Sequence, residues 1–339
     1  GGLSLIINYL TFALSSCTIG VFRLRGQSFD AIFVFGASPV SVALPAILVK
    51  WLKRTPVAFW VLDLWPQSLQ AVGAVKSSAI LTLVGVGVGW IYRRCDLVLA
   101  QSRSFVPQIS QQLKDPSKVI YFANWSEAIE LPENSPPAEE VAKQDGVFDI
   151  VFAGNIGEAQ DFPAILDAAL QLREEPVRWL IVGDGRKAKW VQGEIDRLGL
   201  AGKVVMLGRF PLERMPSFYR HADALLVSLR RDPIFALTIP GKLQSYLAAG
   251  IPVLAMLDGE GQEVLRASGA GFATGAGDAA GLVANVRRMM AASAQELVEM
   301  GHRGRAYSQR EFDRTGQLTQ LERILANMAA KARSWTRQE

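Results

Sequence analysis

Apolar residues in this chain come in short runs that end on glycine or a polar residue, separated by longer stretches with helical spacing. The run DAIFVFG (30–36) is followed by helical spacing over 39–53 and by a second run, PVAFWVLDLWP (56–66). Further runs lie at 96–102 (DLVLAQS) and 118–124 (KVIYFAN). Runs this short and continuously apolar predict strands buried on both faces. After residue 146 the rhythm repeats, with strands predicted at 148–154, 178–185, 204–208, 224–229 and 252–256. Helices are predicted near 161–174, 187–198, 212–221, 242–249, 260–268, 279–291, 294–309 and 314–333. Strand, helix, strand in this order means parallel sheets with crossover helices, hence an α/β fold of two doubly wound domains. The predicted division is an N-terminal domain 1–126, a linker 127–146, a C-terminal domain 147–315, and a last helical segment 316–339 packing back on the N-terminal domain. The linker is acidic, Pro-rich and weakly periodic.

Two apolar stretches raise the question of a membrane. Residues 1–22 carry no charge. Ser4, Asn8, Thr11, Ser15 and Thr18 share one helical face, and Leu3, Ile6, Ile7, Leu10 and Leu14 another. Such a helix either spans a bilayer or, as its two faces favour, lies at an interface or on a domain surface. The stretch 79–96 contains Gly85, Gly87 and Gly89 and ends in Arg93-Arg94. It predicts a helix that packs closely through its glycines and carries two cations where the helix dipole favours them.

Composition narrows the function classes. Half of the 339 residues are hydrophobic and 20% are charged, so both domains can build cores. Cys17, Cys95, His221 and His302 are the only residues of their types, and their spacing gives neither a disulfide framework nor a metal site. Before residue 127 eleven basic residues face four acidic ones, a net +7 that leaves −3 of the chain's +4 for the remainder. A basic, apolar first half suggests an anionic membrane surface. No dense basic run or binding motif points to nucleic acid.

In open α/β sheets ligands bind beyond the carboxyl ends of the strands. In the second half those ends carry GNIGEAQ, with Gly154, Asn155, Gly157 and Gln160, then GDGR, with Gly183, Gly185 and Arg186. Next come Gly208, Arg209 and Phe210, then Arg230 and Arg231, then IPGKLQSYLAAG, with Pro240, Lys242, Gln244 and Ser245, and finally Glu260. Glycines let backbone amides approach an anion, and a helix start adds its positive end. The set fits a dianionic ligand such as a nucleoside diphosphate, with Lys242 and an arginine as charge partners.

The segments FAGNIG, VGDG, LGRFPLERMPSFYRHADALLVSL and IPGKLQSYLAAGIPVLA, with VLDLWPQS, IYRRCDLVLAQS and ANWSE in the first half, resemble the GT-B fold retaining glycosyltransferases of family 4. They resemble in particular the branch that transfers N-acetylated amino or deoxyamino sugars in O-antigen, capsule and exopolysaccharide assembly. The resemblance covers nearly the whole chain. It implies a further strand–loop–helix region before Gly1, hence an N-terminally truncated chain. It implies two Rossmann-like domains facing a cleft and a UDP-sugar held mostly by the second. The uracil would pack near Gly208, Arg209 and Phe210, and the diphosphate would meet the Gly154–Gly157 loop, Arg230 or Arg231, and Lys242. A polyprenyl-diphosphate-linked glycan acceptor would approach Ser38, Pro39 and Asp63, at the inner face of the plasma membrane. Family members need no metal or other cofactor.

One departure stands out. The wider family places two glutamates eight residues apart where this chain has Leu237 and Ser245. Gln244, Ser245 and Glu260 are the candidates to replace their polar contacts. Lys242, Arg231 and Asp63 are the candidates for catalysis, Asp63 being either a contact to sugar or acceptor or a strand-end cap. Two other classes stay open: a GT-B-like UDP-sugar epimerase or hydrolase, and a non-catalytic membrane-associated scaffold. Scarce histidines and paired acids count against the first, because that chemistry needs proton-transfer groups.

Overall fold

A computed structural model describes residues 2–71, 75, 77–125 and 136–336. Much of the linker, 127–135, lies outside them, as do Ser126 and Lys76. The chain divides into two compact units, one of residues 1–124 with 315–339 and one of residues 125–314.

The first unit holds β1 (Ile32–Gly36), β2 (Val57–Val61), β3 (Leu97–Ala100) and β4 (Val119–Tyr121), all parallel in the order β1-β2-β3-β4. Every residue of β2 is buried, which accounts for its unbroken apolar sequence. Trp60 anchors this core: its indole N–H donates to the Phe122 carbonyl at 3.1 Å and its ring meets Phe35 and Phe122 edge-on. Helices Ala43–Lys53 and Ser78–Arg94 flank the sheet. Asp96 ties them to it, accepting from Lys50 Nζ at 2.7 Å and from the Val57 N–H at 2.8 Å. The last helix, Arg314–Thr336, belongs chiefly to this unit, where Arg333 pairs with Asp30 at 2.9 Å.

Two expectations change here. Residues 2–23 form a helix to Ser15, a π-helical turn Ser16–Gly20 and one further turn. Its half-covered side is neither of the predicted faces but Tyr9, Ala13, Cys17 and Gly20, with the Tyr9 ring 6.4 Å from that of Trp65; Ile7, Leu10 and Leu14 are exposed, and so are Asn8, Thr11, Ser15 and Thr18. The hydroxyls of Thr11, Ser15 and Thr18 bond back to carbonyls of their own helix, so they need no polar surroundings. Among the described residues no helix is long and apolar enough to cross a membrane. In helix Ser78–Arg94, Gly85 lies against Pro66 and Gly89 against Gln112, but Gly87 meets nothing. Positions four apart share a helix face and the one between them does not, so close packing through all three glycines is corrected to packing through two.

The second unit holds β5 (Phe148–Ala153), β6 (Val177–Val182), β7 (Val204–Gly208), β8 (Ala224–Ser228), β9 (Val253–Met256) and β10 (Gly271–Thr274). They form one parallel sheet in the order β10-β9-β8-β5-β6-β7. The sequence did not predict β10, a four-residue edge strand bounded by glycines with too little apolar length to read as a run. Chain order reverses between β5 and β8, which makes that gap the topological switch point. A buried ion pair, Arg178 to Asp149 at 2.7 Å, closes the amino end of the sheet. Helix Gly241–Ala249 ends on Gly250 in the left-handed conformation at φ 71°. Helix Ala294–Glu311 crosses it so closely that a Cβ at Gly301 would strike the Gly250 carbonyl.

Candidate functional site

The carboxyl edge of the second sheet brings together loops after β5, β6 and β7 and the helix that follows β8. Hydrogen bonds join the loops strand by strand. The Gly154 N–H donates to the Val182 carbonyl at 2.8 Å, Gly183 to Gly208 at 2.7 Å, and Ile156 to Asp184 at 2.9 Å. Glycine is required where these loops touch: Gly183 has φ 151°, and a Cβ there would overlap the Gly154 carbonyl. The Asn155 side chain fits between Gly157 and Gly185, its Nδ2 and Oδ1 reaching 2.7 and 2.8 Å from where Cβ atoms would stand.

These bonds correct one expectation. The amides of Gly154, Gly157, Gly183 and Gly185 do not line up toward a ligand. Each already donates within the protein, Gly157 to Gln160 Oε1 at 3.1 Å and Gly185 to Asp184 Oδ1 at 2.7 Å. The glycines therefore allow backbone to pack on backbone, and Gln160 serves as a loop cap. Positive charge at this edge comes from side chains and from the helix start at Pro240–Gly241, whose first-turn N–H groups precede the helical ladder.

Lys242 is the centre of the arrangement. Its stem is partly exposed, but Nζ is sealed from solvent and has no hydrogen-bond partner. The amine lies 3.7 Å from the centroid of the Phe152 ring, on β5. A Cβ at Gly154 would stand 2.8 Å from Nζ, so a larger residue there would displace the end of this lysine from its position. One turn on, Tyr246 Oη accepts from the Ala153 N–H at 2.9 Å and donates to the Ala153 carbonyl at 3.2 Å. That pair locks the helix to the end of β5 across the switch point. Burial alone lowers the Lys242 amine from 10.5 to about 7. An amine so placed changes its charge state readily, and an anion brought beside it would favour the ammonium form.

The other candidates differ in freedom. Arg230 lies 3.7 Å from Asp232 and near the Phe235 ring. Its charge also opposes the upward shift that burial imposes on Asp161. Arg231 is largely exposed, donates to the Ala276 carbonyl at 2.9 Å and approaches Asp258 at 3.6 Å. Lys187, next to exposed Arg186, pairs with Glu158 at 2.7 Å. Gly208 and Arg209 are exposed, while the Phe210 ring packs on Phe218 at 4.6 Å. Gln244 is fully buried, Ser245 is partly exposed, and Glu260 opens helix Glu260–Ser268. Phe152 and Tyr246 were missed in the sequence. Tyr246 stands four residues after Lys242, on the same helix face, which is the signal that could have found it.

In the first unit, Ser38 and Pro39 follow β1 and Asp63 follows β2, at the carboxyl ends of neighbouring strands. Ser38 is exposed and Pro39 buried. Burial raises the Asp63 carboxyl, against the Ser68 and Trp65 side chains that lower it. Tyr92, unremarked in the sequence, has an unpartnered hydroxyl that burial pushes up, with smaller contributions from Cys95 and Asp63. Among the described residues no cluster of His, Cys, Asp or Glu could hold a metal ion. A cavity of about 740 Å³ lies at the opposite, amino edge of the second sheet beside Asp149 and Asp223, away from Lys242.

Comparison with known proteins bears on this edge. Residues 147–292, which contain Lys242 and its loops, match the family described as "Glycosyl transferases group 1". "Probable glycosyltransferase WbjE" of Pseudomonas aeruginosa is 27% identical over 232 residues, 66% of this chain and 57% of that protein. WcaI of Escherichia coli K12, whose name places it in colanic acid biosynthesis, is 29% identical over 163 residues, 46% of this chain and 39% of that protein. The matches thus span about half the length of these curated relatives. The crystal structure of Anabaena HepE in complex with UDP-glucose superposes with a TM-score of 0.71 at 18% identity, covering 94% of this chain and 82% of that one. The fold is GT-B.

Proposed function

We propose that this chain is a glycosyltransferase of bacterial surface-polysaccharide synthesis that uses a UDP-sugar donor, with Lys242 at the donor diphosphate. The observation that carries this reading is the buried, unpartnered Lys242 amine at the switch point. Support comes from the group 1 family match over the same residues and from the relatives' names. Solved complexes of HepE with UDP and UDP-glucose support the donor class.

In this reading the bond from the sugar C1 to the diphosphate oxygen breaks and a bond from C1 to the acceptor oxygen forms. The acceptor proton goes to the departing diphosphate, on the sugar face it leaves, so configuration is retained. Lys242 and the start of helix Gly241–Ala249 stabilise the charge that gathers on the leaving group. Arg230 or Arg231 supplies the second cation. Gly208, Arg209 and Phe210 border the uracil, and Gln244, Ser245 and Glu260 take the polar contacts to ribose and sugar. An N-acetylated amino or deoxyamino sugar is the proposed donor sugar. Asp63 with Ser38 and Pro39 serves the acceptor, a lipid-linked glycan presented at an anionic membrane surface, and no metal takes part.

Calorimetric titration with UDP, GDP, ADP and dTDP tests the donor class. UDP should bind at least tenfold more tightly than the others. Preference for GDP or ADP rejects the uridine assignment. Sugar release from the donor without acceptor would instead favour a hydrolase or epimerase.

A further inference from the structure

The apolar side chains most exposed to water are concentrated in the first unit. Helix Ser78–Arg94 is apolar around its whole circumference, yet only one side of it is covered. Val88, Ile91 and Tyr92 face the domain and are buried, while Ile80, Leu83, Val86 and Trp90 form a stripe on the opposite side. Trp51 and Leu52, at the end of helix Ala43–Lys53, are exposed as well, and the six side chains range from 41% to 77% exposure. A helix that is apolar all round normally has cover on every side.

The two helices meet at their C-terminal ends, where Lys50 Nζ donates to the Arg94 carbonyl at 2.8 Å. Lys53, Arg54, Arg93 and Arg94 gather at that same end. Lys53 and Arg93 donate to the backbone carbonyls of Gln27 and Gln112 rather than to carboxylates. The Arg94 guanidinium lies 5.4 Å from the Trp90 ring, placing a cation beside an aromatic at the edge of the stripe. The two helices contain no acid, and nearby Asp96 is neutralised by Lys50.

An apolar field bordered by cations and a tryptophan, on two helices without acids, matches one kind of partner: a bilayer surface with anionic headgroups. A second copy fits poorly, because like faces would set cation against cation. We infer that the stripe Ile80, Leu83, Val86 and Trp90, with Trp51 and Leu52, seats in an anionic lipid leaflet, and that Arg54, Arg93 and Arg94 meet its phosphates. This inference rests on the membrane-surface part of the proposed function and is independent of the donor site.

Cosedimentation of the full chain with vesicles tests it. Vesicles of 30% phosphatidylglycerol in phosphatidylcholine should bind the protein at least tenfold more strongly than phosphatidylcholine alone. Leu83→Gln with Trp90→Gln should weaken binding by roughly tenfold or more. Arg93→Gln with Arg94→Gln should weaken it by about fivefold per cation removed at low salt. Trp190→Gln and Leu212→Gln, on exposed apolar positions of the second unit, should bind vesicles as the wild type does. UDP titrations run on every variant should not change, which separates loss of this face from loss of the donor reading or of the fold. Wild-type protein left in the supernatant with anionic vesicles overturns the inference, as does equal loss from the second-unit variants. So does a dimer in sedimentation equilibrium that Leu83→Gln with Trp90→Gln dissociates, if vesicles do not bind.

Discussion

Replacing Lys242 by methionine separates the cost of burying an amine from the use of that amine. The two side chains are similar in length, and methionine carries no charge. Burial holds the Lys242 amine at about 7 instead of 10.5. Between those values the unfolded chain binds more protons than the folded one, so this group makes stability rise with pH across that window. The cost is fully present below pH 7 and is gone above pH 10.5. The size of the shift corresponds to about 5 kcal/mol at pH 6, falling to about 2 kcal/mol at pH 9. Without ligand, Lys242→Met should therefore melt roughly 10 °C above the wild type near pH 6. The gap should shrink to roughly 5 °C at pH 9. Scanning calorimetry at several pH values reads both. A variant no more stable than the wild type, or a gap that widens with pH, refutes a desolvated amine at this position.

Further outcomes follow from the same geometry. UDP binding should draw a proton onto Lys242, roughly half a proton per site at pH 7 and close to one at pH 8.5, read by calorimetry in buffers of different ionisation heat; no uptake at either pH would mean the amine stays as it was. Gly183→Ala drives a Cβ into the Gly154 carbonyl and should cost roughly 3 kcal/mol or more in urea unfolding. Gly87→Ala meets nothing and should add up to about 1 kcal/mol of stability, so equal effects from these two alanines contradict the packing described. Arg178→Met leaves Asp149 buried and unpaired and should cost about 3–5 kcal/mol, while the folded protein keeps its UDP affinity. Asp63→Asn removes a carboxylate whose ionisation burial opposes, so it should melt no lower than the wild type at pH 7 and together with it at pH 3; loss of transfer with that melting behaviour places Asp63 in the chemistry.

What could be read from the sequence depended on how local each signal was. Among the described residues, nine of the ten strands show as apolar runs because parallel strands buried on both faces need them; β10 does not, being four residues long at a sheet edge. Lys242 was legible from its place at a helix start. Its surroundings were not: Phe152 lies 90 positions earlier, and only the pairing of β5 with β8 brings its ring beneath the amine. The glycine loops are legible in the sequence, but their use is not. Whether a loop amide faces a ligand or a neighbouring strand depends on which strands are adjacent, and that order is not written in the loop. The same applies to helix Ser78–Arg94, whose glycines signal close packing without saying which face is packed.

The most direct test of a diphosphate site at Lys242 is the affinity of UDP and of UMP for the wild type and for Lys242→Met, measured by calorimetry at pH 7. If the amine reads the diphosphate, the substitution weakens UDP by about 100-fold. It should weaken UMP by less than tenfold, since UMP lacks the second phosphate. Unchanged UDP affinity in Lys242→Met, or equal losses for both nucleotides, would contradict the assignment.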